Sequence, residues 1–103
     1  MQTVFILGAG GRMGRNADHA FTTAGWTVYR LQRPGSKAVA GSIQADPLDA
    51  HSLTQAALTA TPDVIFNALN PAYPDWTRDV PRLTTATIEA AKATGATVIL
   101  PGN

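Results

Sequence analysis

The sequence contains no cysteine among its 103 residues, which excludes disulfide bonds and thiolate metal sites and is consistent with a cytoplasmic protein. It also lacks any apolar run as long as a membrane span, and we expect no signal peptide ahead of its first apolar segment. Neither charge is in excess, because eight basic residues face seven acidic ones, so nothing indicates nucleic acid or an anionic membrane as a partner. The length suits one domain.

A glycine-rich stretch near the start organises the chain. The apolar, β-favouring run at 3–7 leads directly into Gly8-Ala9-Gly10-Gly11-Arg12-Met13-Gly14, and the residues after it favour a helix. A buried strand, a glycine turn and a helix start are the parts of a βα unit that binds a dinucleotide, with the phosphates at the helix N-terminus. Gly8 would permit the tight turn, and Gly14 would let the helix pack closely on the sheet. Gly10 and Gly11 would let the backbone approach a pyrophosphate. The alternative is a glycine-rich turn with no ligand.

Short apolar runs and amphipathic segments alternate along the rest of the chain. Further strands are expected at 26–32, 39–45, 64–66 and 97–100. The first helix should end at Gly25 and pack through Met13, Ala17, Ala20, Phe21 and Ala24. The second should begin at Asp49 or Ser52, and the third should begin near Arg78, with Pro81 in its first turn, and end at Gly95. This alternation predicts an α/β, Rossmann-like fold of three layers (αβα), with a parallel sheet of about five strands in the order 3-2-1-4-5.

The end of the second expected strand lacks the acidic residue that an NAD site would place there. No Asp or Glu stands between Asp18 and Asp46, so no carboxylate is available to accept hydrogen bonds from the ribose 2′-hydroxyl. The segment instead carries Arg30, Gln32, Arg33, Ser36 and Lys37. We therefore expect NADP rather than NAD, with Arg33 binding the 2′-phosphate and Ser36 and Lys37 assisting it. Solvated charges in a Pro-Gly turn are the alternative.

The glycine spacing points to a known family. Gly8, Gly11 and Gly14 read G-x-x-G-x-x-G, with Gly10 in addition and Met13 where a strict G-x-G-x-x-G would have its last glycine. This pattern resembles the extended and atypical short-chain dehydrogenase/reductases, the superfamily that includes NAD(P)-dependent epimerases and dehydratases. The resemblance implies that residues 1–103 are the NAD(P)-binding Rossmann domain of a longer enzyme, one acting on a sugar nucleotide or a similar carbonyl substrate.

The same resemblance assigns further residues to the cofactor. Arg12 and Met13, between the glycines, complete the expected phosphate-binding stretch. Asp46 matches an aspartate beside the adenine, where its carboxylate accepts from the exocyclic amine, although a turn aspartate bonded to its own backbone is the alternative. The segment expected to lie along the ribose and pyrophosphate is Asn67, Ala68 and Leu69.

The catalytic pair of the resembling family is missing. Its members use Tyr-x-x-x-Lys, but Arg33 and Thr77 stand four residues beyond Tyr29 and Tyr73, the two tyrosines of the sequence. We find no catalytic residue and no metal-binding pattern to propose. The chain alone should be inactive, as the cofactor-binding part of an oxidoreductase or epimerase. The alternatives are a binding module that senses NADP without turnover and a nucleotide-free scaffold that oligomerises.

The fifth expected strand, at 97–100, raises the question of partners. It would form an apolar edge with unpaired backbone groups, and such edges recruit other chains. We therefore expect a homo-oligomer through this edge or the adjoining face of the sheet.

Overall fold

The computed structural model describes residues 2–69 and 75–100. Strands and helices alternate along the chain in these ranges: β1 (Thr3–Leu7), α1 (Arg12–Thr23), β2 (Thr27–Gln32), β3 (Ser42–Gln44), α2 (Ala50–Ala60), β4 (Val64–Asn67), α3 (Trp76–Thr94) and β5 (Thr97–Ile99).

The five strands form one parallel sheet in the order β3-β2-β1-β4-β5, as the sequence predicts. β1 occupies its centre, and Val4 pairs in register with Val28 of β2 and with Val64 of β4. The side chains of Val4, Phe5, Ile6 and Leu7 are fully buried. A central parallel strand is covered on both faces, which is why this segment is apolar without alternation.

Helices cover both faces of the sheet, which confirms the three-layer architecture. Phe5 and Leu7 point to the face covered by α2 and α3, where they join the larger core cluster. Val4 and Ile6 point to the opposite face and pack with Ala17 of α1. α2 contributes Leu53, Ala56, Ala57 and Ala60, its buried residues, to the larger cluster.

The predicted apolar face of α1 is partly wrong. Met13 is 47% exposed, and Ala20 and Ala24 are exposed as well. Ala17 and Phe21 do face the sheet as predicted, the first buried and the second half-buried, and the buried Gly14 lies beside them. Apolar periodicity alone does not show that the closest contact of this face is made by a glycine, which contributes no apolar side chain.

Three element boundaries also differ from the prediction. The strand expected at 39–45 is reduced to Ser42–Gln44, because Val39 is exposed and Gly41 takes a positive φ of 79° in the preceding loop. α3 begins at Trp76, so Pro81 lies in its second turn and leaves the Thr77 carbonyl without the usual helical donor. β5 ends at Ile99, and the exposed Leu100 follows it. Self-association at this edge stays a prediction.

The helix ends agree with the sequence. The Asp49 carboxylate accepts from the backbone N–H groups of His51 and Ser52 and so caps α2. α3 ends at Gly95 in the left-handed region, with φ of 74°.

Candidate functional site

A cleft of about 830 Å³ opens at the carboxyl ends of the strands. Its first wall is the glycine turn 8–11, which follows β1. Its second wall is formed by Leu31, Arg33 and Pro34 around the end of β2 and by residues 45–48 after β3. The third wall consists of Leu69, Asp79 and Leu83. Volume and position are those of a small-molecule site in an open parallel sheet, where ligands bind outside the strand ends.

The glycine turn is packed against its surroundings at two points. Gly8 has a positive φ of 86°, and a Cβ placed there would approach the Ala68 carbonyl carbon and the Leu69 nitrogen to 3.0 Å. A Cβ on Gly14 would lie only 1.9 Å from the Gly8 carbonyl oxygen. The first turn of α1 therefore sits directly on the turn that follows β1. These positions agree with the roles predicted for Gly8 and Gly14.

Gly10 and Gly11 face open space instead. Among the described residues, a Cβ on Gly10 would meet no atom within 4 Å, and the nearest atom to one on Gly11 would be the Gly8 carbonyl oxygen at 3.6 Å. Gly11 has a φ of −80°, so its backbone is not strained. It caps α1 without a side-chain oxygen, and the first N–H groups of this helix therefore receive no side-chain acceptor from the cap. The wall presents backbone donors and room for a ligand.

The Arg12 and Met13 side chains are exposed and do not line the cleft. Their backbone N–H groups belong to the first turn of α1. A contact between these N–H groups and the phosphates remains a prediction.

The basic residues around the end of β2 have separate surroundings. Arg33 lines the cleft. Arg30 is bound to the Asp18 carboxylate of α1, with its Nη2 donating to Oδ1 at 2.7 Å and its Nε donating to Oδ2. The hydrogen bond from Arg30 lowers the pKa of Asp18, against the opposing effect of partial burial. Arg30 thus joins β2 to α1 and does not line the cleft.

Ser36 and Lys37 also do not line the cleft in this structure. Their backbone carbonyls accept hydrogen bonds from the side chains of Gln44 and Gln32, each at 2.6 Å. Their expected help at a 2′-phosphate stays a prediction.

Asp46 makes the turn bond that was the alternative to an adenine contact, and the adenine contact itself stays a prediction. Its Oδ1 accepts from the Leu48 N–H at 3.0 Å, which is a turn bond within its own segment. Its own N–H donates to the Ser52 hydroxyl oxygen at 2.9 Å. The residue is exposed and lines the cleft, so the turn bond holds the carboxylate beside it.

Asn67 turns away from the cleft. Its side chain is buried, its Nδ2 donates to the Thr87 hydroxyl at 3.4 Å, and its Oδ1 accepts from the Leu69 N–H at 3.1 Å. Ala68 packs beside Gly8, and Leu69 lines the cleft. Asn67 therefore connects the end of β4 to α3 by a hydrogen bond and orients the backbone of Leu69. Residues 70–74, which follow in the sequence, lie outside the described residues.

Sequence reasoning missed the contribution of α3. Asp79 and Leu83, one turn apart on this helix, both line the cleft, and the Asp79 side chain is only 13% exposed. Arg78 donates to both carboxylate oxygens of Asp79 at 2.8 and 3.2 Å and lowers its pKa. The i, i+4 spacing of Asp79 and Leu83 is the available signal, but it identifies a helix face without showing which cavity that face meets.

Solved structures share this architecture. WbmH of Bordetella bronchiseptica, in complex with NAD+, aligns with 93% of the chain at a TM-score of 0.74 and 18% identity. A variant of a Serratia marcescens short-chain dehydrogenase/reductase aligns with 94% at a TM-score of 0.67 and 22% identity. The fold is that of the short-chain dehydrogenase/reductases. A blue fluorescent protein from a metagenomic library, in complex with NADPH, has the same fold over 94% of the chain, with a TM-score of 0.71 and 20% identity.

The chain spans 36% of WbmH, 55% of the Serratia short-chain dehydrogenase/reductase and 51% of the blue fluorescent protein. No family model and no curated protein matches its sequence. Within residues 2–69 and 75–100, no helix is long and apolar enough to cross a membrane, and no group of three metal-ligating side chains comes together.

Proposed function

We propose that this chain is the NADP(H)-binding domain of an epimerase, dehydratase or reductase with the short-chain dehydrogenase/reductase fold. The observation that carries the proposal is the open space at Gly10 beside the N-terminus of α1, where a Cβ would face the cleft and meet no atom of the described residues within 4 Å. Backbone N–H groups and the positive end of a helix dipole at such a place suit a pyrophosphate.

The remaining walls suit the rest of a dinucleotide. Leu31, Leu69 and Leu83 offer apolar surface for a nucleobase, and the Asp46 carboxylate offers an acceptor for an exocyclic amine. Arg33 offers a guanidinium for a phosphate on the ribose. The bound cofactor would supply hydride chemistry, while these residues would bind and orient it.

The choice of NADP over NAD rests on the chain's own residues. The solved neighbours include complexes with NAD and a complex with NADPH, so the fold is compatible with either cofactor. Arg33 is a cation at the cleft directly after β2, where an NAD site places a carboxylate.

The reaction belongs to the longer protein of which we propose this chain to be a part. The sequence has no Tyr-x-x-x-Lys, so the 103 residues alone should bind cofactor without turning over a sugar nucleotide or another carbonyl substrate. The same absence favours a second candidate, a module that senses NADP without catalysis. Turnover by a longer chain that restores the pair would decide between these two.

Titration of NADPH and NADH tests the proposal. NADPH should bind more tightly to the wild type, and Arg33→Ala should lose about 10- to 100-fold of NADPH affinity, the value of one charge-assisted hydrogen bond. The NADH affinity of this variant should change little. Lys92→Ala removes an exposed cation at the far end of α3 and is the matched control. Equal wild-type affinities would contradict the NADP assignment, and binding of neither nucleotide would contradict the proposed function.

A further inference from the structure

The loop after β2 is held by two glutamine side chains. Gln32 ends β2, Gln44 ends β3, and the two are paired in register. Gln44 uses both ends of its amide, with Nε2 donating to the Ser36 carbonyl at 2.6 Å and Oε1 accepting from the Gly35 N–H at 3.2 Å. Gln32 donates through Nε2 to the Lys37 carbonyl at 2.6 Å. Three consecutive residues of the loop are thus bound to the ends of two neighbouring strands.

These bonds shape the turn on which Arg33 stands. The Ser36 N–H donates to the Arg33 carbonyl at 3.2 Å, and Gly35 takes a positive φ of 84° between them. The turn 33–37 is therefore closed at its base by Arg33 and anchored at its tip by the glutamine pair, Gln32 and Gln44. A fixed turn restricts the directions in which the Arg33 side chain can leave the backbone.

The glutamine pair itself lies away from the cleft. Leu31 and Ile43 pack against the core cluster beneath α2 and α3, and alternation along a strand places Gln32 and Gln44 on the other face. Neither glutamine lines the cleft, whereas Arg33 does. Gln32 Oε1 is buried and has no hydrogen-bond partner among the described residues, so the amide is oriented by its bond to Lys37. Holding the loop through Nε2 therefore leaves the Gln32 Oε1 buried without a donor among the described residues, which is unfavourable for stability.

We propose that Gln32 and Gln44 are positioning residues that hold the turn 33–37 so that Arg33 faces the cleft, and that they thereby set the preference for a dinucleotide carrying a 2′-phosphate. This inference rests on the proposed function. A preorganised turn does not have to be ordered when the ligand binds, so affinity is gained only for a ligand that Arg33 contacts. Pure stabilisation of the fold would favour NADPH and NADH alike.

The experiment compares dissociation constants for NADPH and NADH in Gln44→Ala, Gln32→Ala and the double variant. Gln55→Ala, exposed on α2, is the matched control. Gln32→Ala removes one hydrogen bond and should raise the NADPH constant about fivefold, whereas Gln44→Ala removes two and should raise it further. Both variants should leave the NADH constant within about twofold. A parallel fall in both affinities would overturn the proposal.

Amide hydrogen exchange provides a readout that needs no cofactor. The Gly35 N–H should exchange faster in Gln44→Ala than in the wild type or in Gln55→Ala, because its acceptor is lost. An unchanged Gly35 rate overturns the positioning role. If the proposed function is wrong, the wild type binds neither nucleotide. If only this inference is wrong, the wild type binds both, and the glutamine variants leave the ratio of the NADPH and NADH dissociation constants unaltered.

Discussion

The first and second walls of the cleft are built by opposite means. The glycine turn 8–11 depends on missing side chains, because backbone atoms of Gly8 occupy the space that a Cβ on Gly14 would need. The turn 33–37 depends on side chains that are present, since the amides of Gln32 and Gln44 bind its backbone. A wall made of backbone contacts tolerates almost no change. A wall held by side-chain hydrogen bonds can be altered in small steps, which makes it the place where ligand preference can vary.

Gly14→Ala should give the largest effect and break the first wall. Alanine in place of glycine normally stabilises a helix by about 1 kcal/mol, but here its Cβ would collide with the Gly8 carbonyl oxygen. We expect destabilisation by about 3 kcal/mol, a large part of the stability of a small domain. Urea unfolding measures it. Gly10→Ala, in the same stretch but facing open space, is the control and should leave the midpoint nearly unchanged. Equal midpoints for both variants would show that the helix does not sit on the turn.

Gly10→Val should separate folding from binding within the same wall. The Cβ of the new side chain meets no atom of the described residues within 4 Å, so the free energy of unfolding should change by no more than about 0.5 kcal/mol. It would fill space needed by a pyrophosphate, and affinity for NADPH should fall at least about a hundredfold, as if two charge-assisted hydrogen bonds were lost.

Gly11→Val should behave in the same way as Gly10→Val, because φ at Gly11 is −80° and a Cβ there has ordinary contact distances. A folded Gly10→Val or Gly11→Val that keeps wild-type affinity would mean that the glycine stretch is only a turn.

Asp18→Asn should give the smallest effect. Asp18 of α1 forms an ion pair with Arg30 of β2, so this pair connects the helix that follows the first wall to the strand that leads to the second. The pKa of Asp18 is lowered in the folded protein, so its carboxylate stabilises the fold fully above the ordinary pKa of 3.8 and progressively less as pH falls through the lower folded value. The stability lost in the variant should be at most about 1 kcal/mol at pH 7, because both side chains are partly exposed, and should shrink below pH 4.

Thermal or urea unfolding at several pH values, with Glu89→Gln as the control at a more exposed pair, measures this difference for Asp18→Asn. A difference that is constant with pH would contradict the assignment.

The sequence predicts the centre of the fold better than its edges. β1 is recognisable because a strand buried on both faces is apolar throughout, and Gly8 directly after it is required by its positive φ. β3 is harder, since Ser42-Ile43-Gln44 carries a single large apolar residue and depends on pairing with β2. The strand order follows from general rules of parallel sheets, which need no detail of side chains.

The residues of the cleft also differ in how far the sequence predicts their roles. The roles of Gly8 and Gly14 could be predicted because the turn after β1 and the first turn of α1 are formed by residues close together in the sequence, although the contact of Gly8 with Ala68 and Leu69 could not. The hydrogen bond from Asn67 to Thr87 could not be predicted, because the two residues are 20 positions apart. In the sequence, an asparagine that is buried in the fold looks the same as one that binds a ligand. Asp79 was missed for the same reason, since the wall that it joins is assembled from other elements.

The place of β1 in the middle of the sheet also matters while the chain is being synthesised. Among the strands of this sheet β1 is synthesised before the others, yet the register partner of Val4 in β4 is Val64, and the Thr3 N–H donates to the Asp63 carboxylate at 2.8 Å. A nascent chain that ends before β4 can pair β1 with β2 only, so the most apolar strand of the domain keeps an open edge until some 60 further residues have left the ribosome. Contacts of such long sequence separation form late, and this interval is when the growing chain most needs protection from aggregation.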